Sequence, residues 1–307
     1  MGLGCQQGPS PSRMSRAVPV ERDGREDGWA FLNVQGMRNK QCELGDLLRG
    51  QRIGVLGLAE TWFLPGEDIN VEGFKWVGGA REGRLGRGGV GMFVRDTYAV
   101  VEEKVEELGT GVESVWARIS GEGITETLVG VVYVSPHTRC EMLVGKGDRL
   151  VDLVLEKQQE GLEVLIMGDF NAHFDDRCVA LDSRASLVET LARAASLVVM
   201  NCEPGVVGKW TWGCENRQSV LDYVLVSEWW VDRISRFSID DEGFLMLVVT
   251  ITYCFGMSWL GEGGKIRERE RGDEGTGRSG GGEQAGKSIG KSIGRRWGRR
   301  WVCFRRT

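Results

Sequence analysis

The segment Glu163-Val-Leu-Ile-Met-Gly-Asp-Phe-Asn-Ala-His173 joins an apolar run to the short polar sequence Gly168-Asp-Phe-Asn171. An aliphatic run of this length is typical of a buried strand. Successive strand residues point to opposite faces, so we expect Asp169 and Asn171 on one side and Phe170 on the other. The segment therefore predicts a carboxylate and an amide at the mouth of a sheet, where both could contact one phosphate group.

Similar short apolar runs recur along the chain and predict a series of strands. They are Ile53–Leu58, Val90–Val94, Ser114–Ile119, Thr127–Val134, Val164–Met167, Leu197–Met200, Val220–Val226 and Leu245–Tyr253. Two stretches have helical periodicity, Arg149–Gln159 and Ser186–Ala195, and the second opens with the capping-box pattern Ser186-x-x-Glu189. Many strands separated by few helices predict an α/β fold, specifically a two-sheet α/β sandwich.

Composition divides the 307 residues into one domain and two tails. Residues 1–28 are rich in Gly, Pro, Arg and Ser and predict a disordered leader, residues 29–256 the domain, and residues 257–307 a basic Gly/Arg-rich disordered tail. From Gly261 onward, 13 Lys/Arg stand against 6 Asp/Glu, whereas residues 1–260 carry 26 against 38. Because phosphate neutralisation needs clustered cations, we expect any nucleic-acid contact to come from local loops or from the tail.

The eight cysteines, at positions 5, 42, 140, 178, 202, 214, 254 and 303, show no Cys-x-x-Cys spacing. This spacing supports neither a zinc site nor a disulfide framework. An apolar N-terminal signal is also absent, which favours an intracellular, reduced chain in the nucleus or cytoplasm. The uncharged stretch Phe244–Leu260 is short for a membrane span, so we interpret it as a buried strand followed by a loop and expect no membrane contact.

Several polar residues follow apolar runs in an order that resembles a known family. The motifs are Phe31-Leu-Asn33, Leu56-Gly-Leu-Ala-Glu60-Thr61, Val131-Val-Tyr133, Gly168-Asp-Phe-Asn171, Thr211-Trp212 and Arg217-Gln-Ser-Val-Leu-Asp222-Tyr223. Together they resemble the endonuclease/exonuclease/phosphatase family over about residues 29 to 255. Three of the motifs are most similar in sequence to those of the endonuclease domain of non-LTR retrotransposons. They are Asn33-Val-Gln-Gly, Ala59-Glu60-Thr-Trp and Gly168-Asp-Phe-Asn-Ala-His173.

The resemblance implies a Mg²⁺-dependent phosphodiesterase that acts on DNA, with Mn²⁺ as an alternative metal. It implies that Glu60 binds the metal, with Asn33 nearby, and that Asp169 activates the attacking water. Asn171 would bind the phosphate, and Tyr133 would contact the phosphate or the leaving oxygen. The resemblance also implies a second catalytic aspartate at Asp222 and substrate contacts from Thr211 and Trp212. Carboxylate and amide oxygens are the hard ligands that Mg²⁺ prefers.

Taken singly, these residues also have ordinary structural interpretations. Glu60 alone could be a surface acid at the end of a strand. Tyr133 could be a core tyrosine with one satisfied hydroxyl, and the alternating Trp210 and Trp212 could pack on a strand instead of stacking on a base.

One family motif is missing from this sequence. The family closes with Ser-Asp-His, whose histidine is a general base or transition-state stabiliser, but here the acidic turn Ser238–Gly243 runs directly into Phe244. His137 and His173 fall in loops, and a general base must lie within about 3 Å of the water it activates. Three functions therefore remain open: an impaired DNA endonuclease, a catalytically dead remnant that binds nucleic acid, or a phosphatase of lipid or nucleotide phosphate esters.

Overall fold

The computed structural model describes residues 27–251 except 39, 51, 65, 66, 68, 79–87, 106, 107, 109, 110, 176, 177, 215, 216 and 241–245. The predicted tail lies outside these residues, as does the predicted leader up to residue 26.

Two six-stranded sheets form the body of the described structure. The first sheet contains, in spatial order, β13 (Ile234–Asp240), β14 (Met246–Ile251), β1 (Asp27–Asn33), β2 (Ile53–Ala59), β4 (Val90–Arg95) and β3 (Phe74–Gly78). The second contains β5 (Ala99–Glu103), β6 (Val112–Gly121), β7 (Ile124–Val134), β8 (Glu163–Asp169), β12 (Asp222–Ser227) and β9 (Leu197–Val199).

Each sheet contains one parallel pair, β1 with β2 and β7 with β8, and its other pairs are antiparallel. A short hairpin, β10 (Trp212–Cys214) and β11 (Arg217–Ser219), precedes β12.

The helices are α1 (Gln41–Gly50), α2 (Cys140–Gln159), α3 (Ser183–Ala194) and the short α4 (Glu228–Val231), with a 3-10 turn at Met200–Cys202. Helix α1 places Leu44, Leu47 and Leu48 against the outer face of the first sheet. Helices α2 and α3 cover the outer face of the second sheet in the same way, through Leu150 and Leu191.

The main apolar core lies between the inner faces of the two sheets. It contains Trp29 and Phe31 of β1, Val131 of β7 and Met167 of β8, all almost completely buried. Burial of this apolar area is the principal force that holds the sheets together. The predicted two-sheet α/β sandwich is confirmed, with helices packed on both outer faces.

Element boundaries differ from the sequence prediction in several places. Helix α3 begins at Ser183 and is capped by Asp182, whose side chain accepts the N–H groups of Arg184 and Ala185, so the predicted capping box at Ser186 is wrong. Helix α2 starts nine residues before Arg149, because Leu143 continues the buried face of Leu150 and Val154 although Gly145 and Gly147 disfavour a helix in isolation. The predicted acidic turn is also wrong at its start, since Ser238 to Asp240 pair with β14.

The cysteine prediction requires a correction. Cys178 and Cys202 form a disulfide, with Cα atoms 5.9 Å apart, although 24 residues separate them in the sequence. The fold brings together the loop after β8 and the 3-10 turn after β9, a proximity that spacing along the chain does not reveal. In a reducing compartment the pair would remain as two thiols.

The stretch Phe244–Leu260 contributes β14 over Met246–Ile251, as expected for a strand. None of the helices in the described part of the chain has the length and apolar content needed to cross a membrane.

Candidate active site

Four polar side chains form one row across the inner face of the second sheet. The register pairs Glu113 of β6 with Tyr133 of β7, Tyr133 with Asp169 of β8, and Asp169 with Asp222 of β12. Paired residues on neighbouring strands place their side chains on the same face. The row lies where β7 and β8 end and β12 begins, so it opens at one end of the apolar core.

The first sheet supplies Asn33 and Glu60 to the same place. Asn33 ends β1 and Glu60 follows β2, and these parallel strands end side by side with Asn33 opposite Ala59. The Asn33 amide nitrogen donates to Asp169 at 2.8 Å and to Glu60 at 3.3 Å, and the Tyr133 hydroxyl donates to Glu60 at 3.1 Å. Residues of both sheets therefore form one hydrogen-bonded network at the end of the inter-sheet core.

Backbone conformations with positive φ concentrate around this network. Gln35, Glu60, Trp62 and Asn171 have φ values of 42°, 53°, 55° and 48°. Such conformations cost about 1–3 kcal/mol each in residues other than glycine and persist only where surrounding contacts impose them. The strain indicates that side-chain placement at this site takes precedence over local backbone preference.

A turn after β8, and not the alternation of side chains along a strand, brings Asp169 and Asn171 together. Our expectation that both residues belong to an extended strand is therefore wrong. Strand β8 ends at Asp169, and the Asp169 carboxylate accepts the Asn171 N–H at 2.9 Å. Asn171 donates its amide to the Val134 carbonyl at 2.9 Å, while Phe170 packs into the core beneath the helices. Gly168 is required because a Cβ there would overlap the Val132 carbonyl oxygen.

Asp222 is almost completely buried. Its burial, together with the nearby charge of Asp169, holds the pKa of Asp222 well above the ordinary aspartate value. The Thr211 hydroxyl accepts the N–H groups of Leu221 and Asp222 at 2.9 and 3.1 Å, so Thr211 also lies beside the row.

Tyr133 has a similar environment. Burial, and after it the charges of Glu60 and Asp169, raise the pKa of Tyr133 well above its usual value. The phenol therefore stays protonated and remains a hydrogen-bond donor across the physiological pH range.

The two histidines lie in other environments. The His173 ring contacts Asp182 at 2.8 Å and is exposed, and the exposed His137 contacts Ser135 through its backbone N–H. Trp212 is half-buried on β10, next to Thr211, and Trp210 is also half-buried.

The carboxylates of the network are its potential metal ligands. In the described part of the chain, no three His, Cys, Asp or Glu side chains come close enough to form a metal site by themselves. Mg²⁺ commonly uses only one or two carboxylates and completes its coordination with waters and phosphate oxygens. Glu60 and Asp169, bridged by the Asn33 amide, fit that requirement, and a divalent cation would relieve their repulsion with Asp222.

Asn33 is oriented as a bridge between carboxylates and not as an oxygen ligand. Its amide oxygen accepts the Gln35 N–H at 3.2 Å, and its amide nitrogen faces Glu60 and Asp169.

Sequence reasoning missed two residues of this region. Asn201 binds the backbone of β12 on both sides of Tyr223, donating to the Asp222 carbonyl and accepting the Val224 N–H, each at 3.0 Å. Glu113 belongs to the polar row, and pairing of the β6–β7 hairpin in register would have placed it opposite Tyr133. The apolar run Ser114–Ile119 begins after Glu113 and therefore does not include it.

The architecture and this site define a class of α/β sandwich proteins with an acidic, oxygen-rich site at the mouth of the inter-sheet core. The chain belongs to the Endonuclease/Exonuclease/phosphatase family, because residues 30–241 match the sequence profile of that family. A comparison with curated protein sequences finds no match.

Solved structures with the same fold include proteins of different activities. The endonuclease domain of TRAS1, a telomere-specific non-LTR retrotransposon, has a TM-score of 0.54 at 17% identity, covering 73% of this chain and 98% of that domain. The AP endonuclease LMAP from Leishmania major has a TM-score of 0.56 at 12% identity, covering 75% and 89%. A mannosyl-6-phosphatase from Bacteroides thetaiotaomicron has a TM-score of 0.50 at 15% identity, covering 69% and 89%. At these identities the likeness establishes the fold.

Proposed function

We propose that the protein is a metal-dependent phosphodiesterase that nicks DNA, with activity reduced by the missing Ser-Asp-His motif. The observation that carries the proposal is the network of Asn33, Glu60, Tyr133 and Asp169, which joins the ends of both sheets. Its donor atoms are oxygen-rich and acidic, and its backbone is strained where Glu60 and Asn171 enter the site.

In this proposal Glu60 would hold Mg²⁺ or Mn²⁺, with Asn33 orienting Glu60 and Asp169. The bound cation would polarise a phosphoryl oxygen and favour ionisation of water. Asp169 accepts the proton of the attacking water, whose oxygen bonds to phosphorus as the bond to the leaving 3′-oxygen breaks, and that oxygen takes a proton from solvent to become the 3′-hydroxyl. Asn171 donates a hydrogen bond to the phosphate, and Thr211 and Trp212 contact the flanking substrate. When substrate binds, the Tyr133 hydroxyl would turn its single proton from Glu60 to the phosphate.

DNA is proposed as the substrate because the sequences of the motifs Asn33-Val-Gln-Gly and Ala59-Glu60-Thr-Trp resemble those of retroelement endonucleases. We propose an intracellular site of action, nuclear or cytoplasmic, on the same basis.

A second proposal is a catalytically dead remnant that binds nucleic acid. One specific observation favours it: the sequence contains no histidine after His173. Hydrolysis of a lipid or nucleotide phosphate ester is a third proposal, which the fold allows because family members share the site and differ in their loops.

Relaxation of supercoiled plasmid in Mg²⁺ tests the first proposal. We expect slow nicking by the wild-type chain, no nicking by Glu60→Ala, and unchanged nicking by Glu126→Ala, which removes an exposed glutamate from β7. A chain with Ser-Asp-His inserted after Phe244 should nick about 10²- to 10⁴-fold faster, the usual contribution of a general acid–base group.

The alternatives give different results in the same assay. Nicking that survives Glu60→Ala would refute the proposed site. Absence of nicking with and without the inserted triad would favour the remnant, and release of phosphate from small esters without nicking would favour the phosphatase.

A further inference from the structure

Glu113 is a half-buried acid to which the proposed mechanism assigns no role. It is the second residue of β6 and lies opposite Tyr133 at the site end of the β6–β7 hairpin. Its carboxylate oxygen accepts the Gly89 N–H at 2.5 Å. Gly89 directly precedes β4 of the first sheet, so this hydrogen bond crosses between the two sheets.

The Gly88–Gly89 segment in turn holds the backbone that follows Glu60. The Thr61 N–H donates to the Gly89 carbonyl at 3.2 Å, and the Trp62 N–H donates to the Gly88 carbonyl at 2.9 Å. The contact is close, because a Cβ on Gly89 would overlap the Thr61 hydroxyl oxygen. A residue that fixes Gly89 therefore fixes Thr61 and Trp62.

The Glu60 turn needs such support from outside. Glu60 and Trp62 both have positive φ, a conformation that persists only where neighbouring contacts impose it. On one side, the N–H groups of Gly36 and Met37 donate to the carbonyls of Glu60 and Thr61 at 2.7 and 3.1 Å. On the other side, the support is the Gly88–Gly89 segment that Glu113 binds.

We propose that Glu113 is a positioning residue that anchors the Gly88–Gly89 segment to the second sheet and thereby holds Glu60 in the site. A carboxylate suits this role because hydrogen bonds to a charged acceptor are stronger than those between neutral groups. The role of Glu113 rests on the proposed function only in its expected effect on metal binding by Glu60.

Amide hydrogen exchange of the metal-free protein, measured residue by residue by NMR, tests the inference. In Glu113→Ala the Thr61 and Trp62 amides should exchange at least about tenfold faster than in wild type, because local opening becomes easier. Glu113→Gln keeps an oxygen that can accept the Gly89 N–H, so it should retain most of the protection. Glu126→Ala removes an equal charge from an exposed position of β7 and should leave both amides unchanged.

An internal reference distinguishes local loosening from global unfolding. The Val34 N–H donates to the Ala59 carbonyl and should keep its protection in every variant. If Glu113→Ala fails to fold, Glu113→Asp replaces it, since the shorter side chain keeps the charge but loses the reach to Gly89. Wild-type exchange at Thr61 and Trp62 in Glu113→Asp, or in a folded Glu113→Ala, would overturn the inference.

Calorimetric titration with Mn²⁺ then tests the consequence for Glu60. Loss of a residue that orients a metal ligand commonly weakens metal affinity 10- to 100-fold, and we expect this for Glu113→Ala but not for Glu113→Gln. Equal Mn²⁺ affinity in wild type and Glu113→Ala would overturn the positioning role. If wild type binds no Mn²⁺, the proposed function fails, and the exchange rates alone decide the role of Glu113.

Discussion

At the scale of single residues, Asp222 has the environment with the clearest consequence for stability. Burial and the neighbouring Asp169 charge raise its pKa in the folded protein, whereas in the unfolded chain it titrates near the ordinary value. The folded state therefore binds more protons than the unfolded state between these two values. The contribution of the Asp222 carboxyl to stability is fully present below its pKa in the unfolded chain, and it is lost as the pH rises through its pKa in the folded protein.

We predict that Asp222→Asn stabilises the metal-free protein at pH 7 to 8, because the amide cannot ionise inside the site. The gain should be on the order of 1 kcal/mol, typical of stabilising substitutions, and should disappear near pH 4. Thermal unfolding across this pH range measures the effect.

Asp152→Asn provides a matched control, because Asp152 is exposed on α2. It should change stability little and equally at each pH. Destabilisation by Asp222→Asn at pH 8 would show that a charged Asp222 is favoured in the fold.

The sequence motifs name four residues that the structure brings into contact, but they do not reveal the contacts themselves. Asn33, Glu60, Tyr133 and Asp169 each follow an apolar run, and the structure brings all four into one network at strand ends of both sheets. Glu113 was missed because it begins a strand, and its role depends on Gly89 in the other sheet. Contacts between sheets are set by tertiary packing, which the pattern of a single strand does not encode.

At the scale of secondary-structure elements, α3 depends on its cap. Asp182 accepts the N–H groups of Arg184 and Ala185 at 3.0 and 2.8 Å and contacts the His173 ring. Burial alone would raise the pKa of Asp182, but these hydrogen bonds and the nearby imidazole hold it below the ordinary value. Its stabilising contribution is therefore present above the unfolded pKa and is lost as pH falls through the folded value.

We predict that Asp182→Ala lowers the free energy of unfolding by about 1 kcal/mol, the usual cost of losing an N-cap. Asp182→Ser should recover most of this loss, since serine also caps helices but does not carry the charge that faces His173. Urea unfolding at neutral pH measures both variants. Equal destabilisation by the two would assign the effect to the His173 contact instead of the cap.

Elements whose burial follows a simple period were predicted best. Strands β2, β4 and β8 are continuous apolar runs, and the structure has them within one or two residues of the expected positions. Helix α1 was missed because it has only 10 residues and contains Gly45, which disfavours helix in isolation. Its three buried leucines show that packing on the first sheet overrides this weak propensity.

At the scale of the whole molecule, β14 joins strands from opposite ends of the domain. It pairs with β13 on one side and with β1 on the other. Without it, β1 and β13 would each expose an unpaired edge, and the first sheet would lose its continuity.

We predict that a chain ending at Asp240 loses cooperative thermal unfolding, whereas a chain ending at Gly256 unfolds like the full-length protein. Circular dichroism and calorimetry measure the transition. A cooperative transition in the shorter chain would mean that β14 is dispensable for the fold.

The pairing of β1 with β14 sets Asp27 directly opposite Ile251, so the first and last described residues of the sandwich are neighbours. Partners in an antiparallel pair lie only about 5 Å apart. Such geometry would allow residues 27–251 to be inserted into a longer polypeptide at a single point. It also means that the two ends could be joined by a short linker and the chain reopened elsewhere, because domains with adjacent termini tolerate circular permutation.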